Sequence, residues 1–436
     1  MMLSPQQAVL ASWSFPPWVT ALDLLSALLY LRGWLALRRV IPIRFPTWRL
    51  LSFLGGIVSL QVALASPIDA FDAFSLTDHM TQHMILMMIV PPLVLLGNPA
   101  IPLLRGLPRP VARKVVGPFL RWPPIVRLGE TIFHPAFCWV AFSVSLAAWH
   151  LPGPYDLALR SDGWHEIEHA SFLFTSLLFW WPVVQPWPSR AHWPRWTVPI
   201  YLLLADFLNS VISAFLVFSG SVLYPAYLTI PRIISISAVS DQVLAGVVMW
   251  FVGSFAFLIP AVVLMAKLLS PQRYQSAPAR RDSRLSESRF RRVVLPALTL
   301  ILPLAALVYG YLAPSAIDMD GDVVRMQAAT GPYRISVFTA PDPLPAGPCD
   351  VSVLVQNRDS GEAVLDAPVG LAIERPDSAN DPPALIPATS EASSIKLLEA
   401  GTVDLPHRGQ WNLRVTVRSG SSESVVQGTL NATAQD

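Results

Sequence analysis

The chain has 436 residues, of which 53% are hydrophobic and only 14% carry a formal charge. A soluble domain usually has about 25% charged residues, and a mean hydropathy of +0.47 is too high for an ordinary soluble protein. A formal net charge of only +2 argues against nucleic-acid binding as a main role. The composition therefore indicates a polytopic membrane protein.

Apolar stretches long enough to cross a bilayer core of about 30 Å recur along the first 313 residues. They predict an all-α bundle of eight membrane-spanning helices, at residues 18–37, 50–66, 78–97, 134–150, 165–184, 197–218, 241–266 and 293–313. The first seven make up a membrane domain over 1–270. A basic cytoplasmic linker over 271–292 separates them from the eighth.

The distribution of Lys and Arg predicts the orientation of these helices. The loops at 38–49, 105–127, 187–196 and 267–292 carry 20 Lys and Arg residues. The segments on the opposite side, at 1–17, 67–77, 151–164 and 219–240, carry two. Because Lys and Arg accumulate in cytoplasmic loops, both termini are expected on the extracytoplasmic side.

The tail changes in charge and in pattern. Residues 314–436 hold 8 Lys and Arg against 16 Asp and Glu. Short strands are predicted at 333–338, 350–356, 369–374, 393–405, 411–417 and 423–430. They favour an extracytoplasmic all-β domain over 318–436, an immunoglobulin-like sandwich. With one histidine (His407) and one thiol (Cys349), the tail is not expected to hold a metal site of its own.

Five histidines fall at the predicted outer ends of the third, fourth and fifth helices. Two pairs have i,i+4 spacing, which places both rings on one helix face. Imidazole is the commonest protein ligand for metals, so we predict a metal site from His79, His83, His150, His165 and His169. Three carboxylates at the same level are predicted to accept hydrogen bonds from the imidazoles, namely Asp78, Glu168 and Asp241.

Methionines lie beside the first histidine pair. Thioethers are soft ligands that select Cu(I), and imidazole also suits copper. Met80 and Met84, nearest the predicted membrane surface, are therefore candidate ligands, and the mixed set favours copper, above all Cu(I).

Two other interpretations of these histidines stay open. His165, Glu166 and His169 fit the H-E-x-x-H pattern of zinc metalloproteases, in which the glutamate is the general base. Alternatively, two imidazoles on facing helices, such as His83 and His150, could hold a haem b iron.

A second polar feature lies within the sixth predicted helix. Asp206 and Asn209 are near its middle and on about one face. A carboxylate inside a membrane is by default a functional hypothesis, although a protonated structural Asp is equally open.

Three stretches together resemble the integral-membrane cytochrome c oxidase assembly factors of the caa3/CtaG family. They are DHMTQHMILMMIVPPLVLLGNP (78–99), WHLPGPYDLAL with HEIEHASFLFTSLLFWWPV (149–183), and the Asp241-Gln242 helix start. The resemblance covers about residues 15–270.

This resemblance implies a non-enzymatic protein of the bacterial plasma membrane that helps haem–copper oxidases to mature, with the handling of copper as its expected contribution. Its partners would be oxidase subunits or other copper chaperones. The site residues carried over are His79, His83, His150, His165, Glu168, His169 and Asp241, with 165–169 as an H-x-x-E-H motif. The eighth helix and the tail depart from the family, and the tail is expected to dock towards the oxidase.

Overall fold

The computed structural model describes residues 4–187, 193–233, 236–270, 323–341, 343–374, 385–419 and 422–433. The predicted linker (271–292) and the predicted eighth helix (293–313) lie outside these ranges. The described residues form a helical domain, between 4 and 270, and a β-domain, between 323 and 433. The prediction of membrane helices followed by an all-β tail is confirmed at this level.

The helical domain contains, in its described residues, sixteen α-helices and two π-helical segments. The α-helices are Pro5–Ala11 (α1), Pro17–Arg38 (α2), Thr47–Ala65 (α3), Pro67–Ala70 (α4), Leu76–Met84 (α5), Val90–Leu96 (α6), Ala100–Gly106 (α7), Arg109–Val111 (α8), Gly117–Arg121 (α9), Pro123–Ile132 (α10), Pro135–Trp149 (α11), Pro152–Leu159 (α12), Asp162–Val184 (α13), Thr197–Phe218 (α14), Ala226–Thr229 (α15) and Ala238–Leu269 (α16). The π-helical segments are Ile85–Ile89 and Ala112–Val116.

Six helical segments among the described residues are long and apolar enough to cross a membrane. They are Pro17–Arg38, Thr47–Ala70, Leu76–Leu96, Gly163–Val184, Thr197–Phe218 and Ala238–Leu269. The predicted helix over 134–150 corresponds to α11, which has only 15 residues. It reaches spanning length only together with α10, from which it is bent by 69°. The helical domain is thus that of a multi-pass membrane protein, with six such segments or seven if the bent pair counts as one.

Two of these segments lie in the interior of the bundle. Over their most apolar windows, 61% of Leu76–Leu96 and 56% of Gly163–Val184 is buried, against 22–33% in the other four. The outer helices instead expose large apolar side chains, among them Phe215 and Phe251. Apolar side chains directed outwards suit contact with lipid, so polar groups on the two interior segments are shielded from it.

The interior segment Leu76–Leu96 changes its hydrogen-bonding pattern where α5 meets α6. Pro91 has no N–H to give to the carbonyl of Met87, four residues earlier. The indole Nε1–H of Trp180 on α13 donates to this carbonyl instead, at 2.9 Å. The π-helical turn Ile85–Ile89 precedes the proline. The two interior segments are therefore joined by a buried hydrogen bond, deeper in the bundle than the starts of α5 and α13.

The β-domain contains eight strands in its described residues: Val323–Thr330 (β1), Tyr333–Ala340 (β2), Gly347–Asn357 (β3), Val369–Glu374 (β4), Ile386–Ala388 (β5), Glu399–Leu405 (β6), Gly409–Ser419 (β7) and Ser422–Ala432 (β8). They form two four-stranded sheets, in the orders β1-β2-β3-β6 and β5-β4-β7-β8. All paired strands are antiparallel. Valine and leucine side chains from both sheets fill one shared core.

One predicted strand is partly wrong. Residues 393–405 were expected to be extended throughout, but β6 begins only at Glu399. Ile395, Leu397 and Leu398 are instead buried in an apolar cluster that the β-domain shares with Phe71 and Phe74 of the helical domain. The alternation of apolar residues before β6 therefore reflects contact between the two domains.

Polar and aromatic contacts join the two domains at the same place. Phe338 of β2 packs edge-on against Phe74, with ring centroids 5.7 Å apart. The backbone N–H of Lys396 donates to Ser12 Oγ at 3.0 Å, and Gln356 Nε2 donates to the carbonyl of Arg232 at 3.0 Å. The β-domain thus rests on the end of the bundle formed by the N-terminal segment and the loops around Phe74 and Arg232.

Candidate metal site

Four imidazoles lie together where α5 and α13 start. His79 and His83 come from α5, and His165 and His169 come from α13. The ring centroids are 4.3 Å apart within the first pair and 4.1 Å apart within the second. Across the helices, His79 lies 5.2 Å from His165, and His83 lies 5.4 Å from His169. The two i,i+4 pairs singled out in the sequence therefore face each other.

The two histidines of α5 are buried without hydrogen bonds. His79 and His83 are both 0% exposed, and none of their four ring nitrogens has a hydrogen-bond partner. A buried polar group left unsatisfied costs about 1–3 kcal/mol. A bound cation would satisfy such nitrogens, because each can give it a lone pair.

Glu168 lies between the two helices and faces this pair. Its carboxylate is fully buried, with Oε2 3.7 Å from His79 Nε2 and Oε1 3.6 Å from His83 Nε2. These separations exceed the usual hydrogen-bond range of about 2.7–3.2 Å. The arrangement is that of groups placed around a common point, so Glu168 is itself a candidate ligand as well as an acceptor.

A second carboxylate, which the sequence reasoning missed, lies on the other side of His79. Asp72 is 2% exposed, and its Oδ2 lies 3.2 Å from His165 Nε2 and 3.9 Å from His79 Nδ1. Asp72 belongs to the turn between α4 and α5, where no regular spacing predicts the direction of a side chain. Its position in an acidic, aromatic stretch just before the first histidine pair was the only sequence feature that could have drawn attention to it.

These groups form two sets with the spacing of metal ligands. The ligand atoms within each set lie within 4.8 Å of one another, and the sets are His79, His83, His169 and Asp72, His79, His165. Imidazole and carboxylate donors together suit copper, zinc and iron. The arrangement can bind a transition metal ion inside the bundle, close to the β-domain.

Two buried tyrosines hold the turn that carries Asp72. Tyr155 lies against His79, with ring centroids 5.0 Å apart. Its hydroxyl is 3.0 Å from that of Tyr227, which donates to the carbonyl of Asp72 at 3.0 Å. Burial raises the pKa of both tyrosines well above 10. Both hydroxyls therefore keep the protons that these hydrogen bonds need.

The expectation for Asp241 needs correcting. Its carboxylate accepts hydrogen bonds from the backbone N–H groups of Leu76 at 3.0 Å and Thr77 at 3.1 Å. It also pairs with Arg232 at 3.1 Å, and no imidazole among the described residues donates to it. A carboxylate at a helix N-terminus satisfies free N–H groups and the helix dipole. Asp241 thus anchors the start of α5 and positions its histidines indirectly.

Other predicted residues lie beside the imidazoles or apart from them. Asp78 is half-buried, and no hydrogen bond or ion pair joins its carboxylate to an imidazole in the described structure. Met80 and Met84 are fully buried in the apolar core. Each follows a histidine directly, about 100° further round the helix. Their helical positions therefore favour packing.

His150, the fifth predicted ligand, is in neither metal-binding set. Its Nδ1–H donates to the carbonyl of Leu146 at 2.7 Å, while its Nε2 has no hydrogen bond. The ring of Phe172 lies 6.3 Å from the His150 ring and 4.6 Å from that of His83. His150 therefore borders the cluster on the far side of an aromatic ring.

Asp206 and Asn209 occupy different environments within α14. Asn209 is fully buried and donates from Nδ2 to the carbonyl of Met249 on α16, at 3.3 Å. A side chain on Gly253 would collide with it, since a Cβ there would lie 2.4 Å from Asn209 Nδ2. Asn209 therefore serves the packing of α14 on α16. Asp206 is half-buried, and its Oδ1 has no hydrogen-bond partner.

The fold and the cluster define a multi-pass membrane protein with an interior histidine–carboxylate site. Comparison with protein families places it more closely: the chain belongs to the family of cytochrome c oxidase caa3 assembly factors (Caa3_CtaG), whose model matches residues 28–271. The match confirms the resemblance found in the sequence. It covers all four clustered histidines and ends before the β-domain.

The chain is also similar to curated mycobacterial proteins. It is 27% identical over 302 residues to an uncharacterized protein of Mycobacterium bovis and to one of Mycobacterium tuberculosis. Each alignment covers 67% of this chain and 44% of the relative. A protein of Mycobacterium leprae is 25% identical over 265 residues, or 58% of this chain and 39% of its own length. The chain thus spans less than half the length of these relatives.

Proposed function

We propose that this protein assists the assembly of cytochrome c oxidase by binding copper as cargo in the histidine–carboxylate cluster and passing it on. The recipients would be oxidase subunits or other copper chaperones. Membership of the caa3 assembly-factor family supports the role in assembly. One structural observation carries the copper step: His79 and His83 are completely buried, yet no ring nitrogen of either makes a hydrogen bond.

The donors suit a metal that is handed over. Imidazole binds copper in both oxidation states, whereas carboxylates favour the harder Cu(II). The cluster therefore accepts Cu(I) on its imidazoles and tolerates Cu(II) beside Asp72 and Glu168. Met80 and Met84 would add to the preference for Cu(I) if their side chains turn towards the histidines.

The position of Glu168 favours this function over a zinc metalloprotease. His165, Glu168 and His169 share a face of α13 because they are three and four residues apart. The Glu168 carboxylate lies among the imidazoles, 3.7 Å from His79 Nε2 and 3.6 Å from His83 Nε2. A hydrolytic zinc needs three protein ligands and an open position for water, fewer donors than this cluster offers. The motif at 165–169 is therefore better explained as H-x-x-E-H, with its glutamate among the imidazoles.

The proposed setting is the bacterial plasma membrane, with the β-domain and both termini on the extracytoplasmic side. The loops poor in Lys and Arg contact the β-domain through Phe74 and Arg232, and the N-terminal segment contacts it through Ser12. All three segments are predicted to lie on the extracytoplasmic side, and their shared contact with the β-domain supports this orientation. In this setting the immunoglobulin-like β-domain would dock the protein towards the oxidase.

Metal analysis of the detergent-purified protein tests the proposal. We expect copper in the wild type and clearly less in His83→Ala or His169→Ala. His407→Ala is the matched control, since this histidine lies exposed in the β-domain. Bacteria carrying His83→Ala should make the oxidase subunits and haem but insert less copper. Zinc or haem in place of copper, or equal copper in all variants, would overturn the assignment.

A further inference from the structure

The ring of His79 presents its two nitrogens to different partners. Nε2 lies 3.7 Å from Glu168 Oε2, whereas Nδ1 lies 3.9 Å from Asp72 Oδ2. The two nitrogens of an imidazole point away from each other across the ring, so they cannot bind the same ion. His79 therefore stands between two separate groups of donors.

Each side of the His79 ring has its own set of further donors. On the Nδ1 side, His165 Nε2 lies 3.2 Å from Asp72; we call Asp72, His79 and His165 the outer subsite. On the Nε2 side, His83 and His169 lie beside Glu168, and these three with His79 form the inner subsite. Asp72 belongs to the turn that contacts the β-domain, whereas His83 lies one helical turn below His79. The two subsites thus follow one another from the β-domain end into the bundle.

One ion cannot use all of these donors. Bonds from Zn²⁺, and from copper ions of similar size, to nitrogen or oxygen are about 2.0–2.2 Å long, and such ions usually take about four ligands. The cluster offers four imidazoles and two carboxylates, and its shared histidine faces two ways. A single ion bound at one nitrogen of His79 would leave the donors on the other side unused.

His150, which is partly buried, makes the hydrogen bond expected of a histidine in a protein interior. Its Nδ1–H donates to the carbonyl of Leu146 at 2.7 Å, which leaves one nitrogen for other contacts. Buried ligand histidines usually donate their second ring N–H to a carbonyl or carboxylate in this way. His79 is more deeply buried but makes no hydrogen bond from either nitrogen. Both of its nitrogens are therefore available as ligands.

We infer that His79 bridges two metal ions, so that one chain holds two copper ions about 6 Å apart. The inference rests on the proposed copper-binding function and specifies its site. With one ion bound, the other nitrogen of His79 keeps its proton and faces a carboxylate. The second ion replaces that proton, which passes to water, because metal ions bind only to deprotonated nitrogens.

A bridging imidazole also allows copper to move from the outer subsite to the inner one. An ion taken up at the outer subsite, beside the β-domain, has an acceptor subsite directly across the His79 ring. Arrival of a second ion at the outer subsite places two cations on one ring and weakens the hold on the first by charge repulsion. The two subsites therefore allow stepwise movement of copper along α5 and α13.

The test is to load the purified full-length protein with Cu(II) alone and to measure bound copper and its electron paramagnetic resonance. We expect two ions per chain in the wild type and in His407→Ala, and one in His165→Ala or His83→Ala. Because ions joined through one imidazole couple magnetically, the wild-type signal should account for less copper than is bound. In the two single-site variants the signal and the copper content should agree.

Each other outcome decides against one specific claim. One ion per chain in the wild type, lost in His165→Ala as well as in His83→Ala, would overturn the two subsites but leave copper binding intact. No copper in the wild type would overturn the proposed function itself. Two ions with a full, uncoupled signal would remove the bridge. Since the last measurement needs only the wild type, a variant that fails to fold does not leave the bridge undecided.

Discussion

The helical domain and the β-domain treat buried polar groups in opposite ways. In the described part of the β-domain, Ser336 is the only residue whose buried side-chain polar atom lacks a hydrogen bond. In the helical domain, two adjacent histidines leave all four ring nitrogens unsatisfied. A bound metal ion would offset the cost of those groups, whereas the β-domain gains stability from hydrogen-bonded strands and an apolar core. The contrast supports the proposal that a metal binds in the helical domain.

The potential ligands of the β-domain support this division. Burial and two neighbouring carboxylates, at Asp350 and Asp404, raise the pKa of the Cys349 thiol to about 12. Only the thiolate binds metals strongly, so this cysteine is a poor ligand at neutral pH. His407 is exposed. The β-domain contacts the turn that carries Asp72, where Phe338 packs against Phe74. This contact is its structural link to the histidine cluster.

The largest expected effect comes from removing this contact between the two domains. Phe338 is 2% exposed and belongs to the cluster between the domains, whereas its neighbour Val337 belongs to the core of the β-domain. Phe338→Ala should cost about 3 kcal/mol, the lower end for a buried phenylalanine, and should loosen the turn of Asp72 without unfolding the sheets. Hydrogen exchange of the Phe74 amide should quicken, and copper should be lost faster.

Val337→Ala is the matched control for this prediction. It removes apolar volume from inside the β-domain, so exchange should quicken within the sheets as well as at the contact. Unchanged exchange at Phe74 in Phe338→Ala would show that the β-domain does not stabilise the turn that carries Asp72.

Much of the helical domain could be predicted because its features repeat along the chain. Apolar stretches predict the spans, and the i,i+4 spacing places His79 with His83 and His165 with His169 on single faces. That these faces meet follows from the packing of two interior helices. Asp72 could not be predicted in the same way, since it lies in a turn where spacing carries no direction.

The two corrected expectations have related causes. Asp241 was expected at the level of the histidines, which it is, but sequence position does not determine which neighbour a side chain reaches. The free N–H groups at the start of α5 and the guanidinium of Arg232 bind it instead. Residues 393–398 have the apolar alternation of a strand, and a contact between domains buries such a pattern equally well.

A second prediction separates positioning from ligation within the bundle. Asp241→Asn keeps the size of the side chain but removes its charge from Arg232 and from the α5 N-terminus. The loss of such a helix cap costs about 0.5–2 kcal/mol, so copper affinity should fall by about tenfold. The number of ions bound should not change. Titration against a competing chelator measures both quantities.

Asp78→Asn is the control, because it alters a carboxylate in the first turn of α5 that makes no ion pair with an imidazole among the described residues. We expect its affinity to stay close to that of the wild type. A lost ion in Asp241→Asn would instead show that Asp241 takes a direct part in binding that ion.

The smallest expected effect lies in the β-domain, at Glu399 of β6, where burial raises the carboxyl pKa from 4.5 to about 7. A pKa raised by folding means that the folded state prefers the protonated acid. The stability of the domain should therefore be greatest below pH 4.5, fall as the pH rises to about 7, and then level off. Allowing for the solvent that screens a half-buried group, the loss is about 1 kcal/mol.

Glu399→Gln mimics the neutral acid, so at pH 8 its β6 amides should exchange hydrogen more slowly than those of the wild type. At pH 4 the two proteins should exchange alike, and comparing them at equal pH cancels the intrinsic rate. Glu423→Gln, at an exposed position on β8, is the matched control and should leave β6 unchanged at both pH values. Faster exchange in Glu399→Gln at pH 8 would contradict the prediction. It would show that the charged carboxylate stabilises β6, so that burial is not the dominant effect on this group.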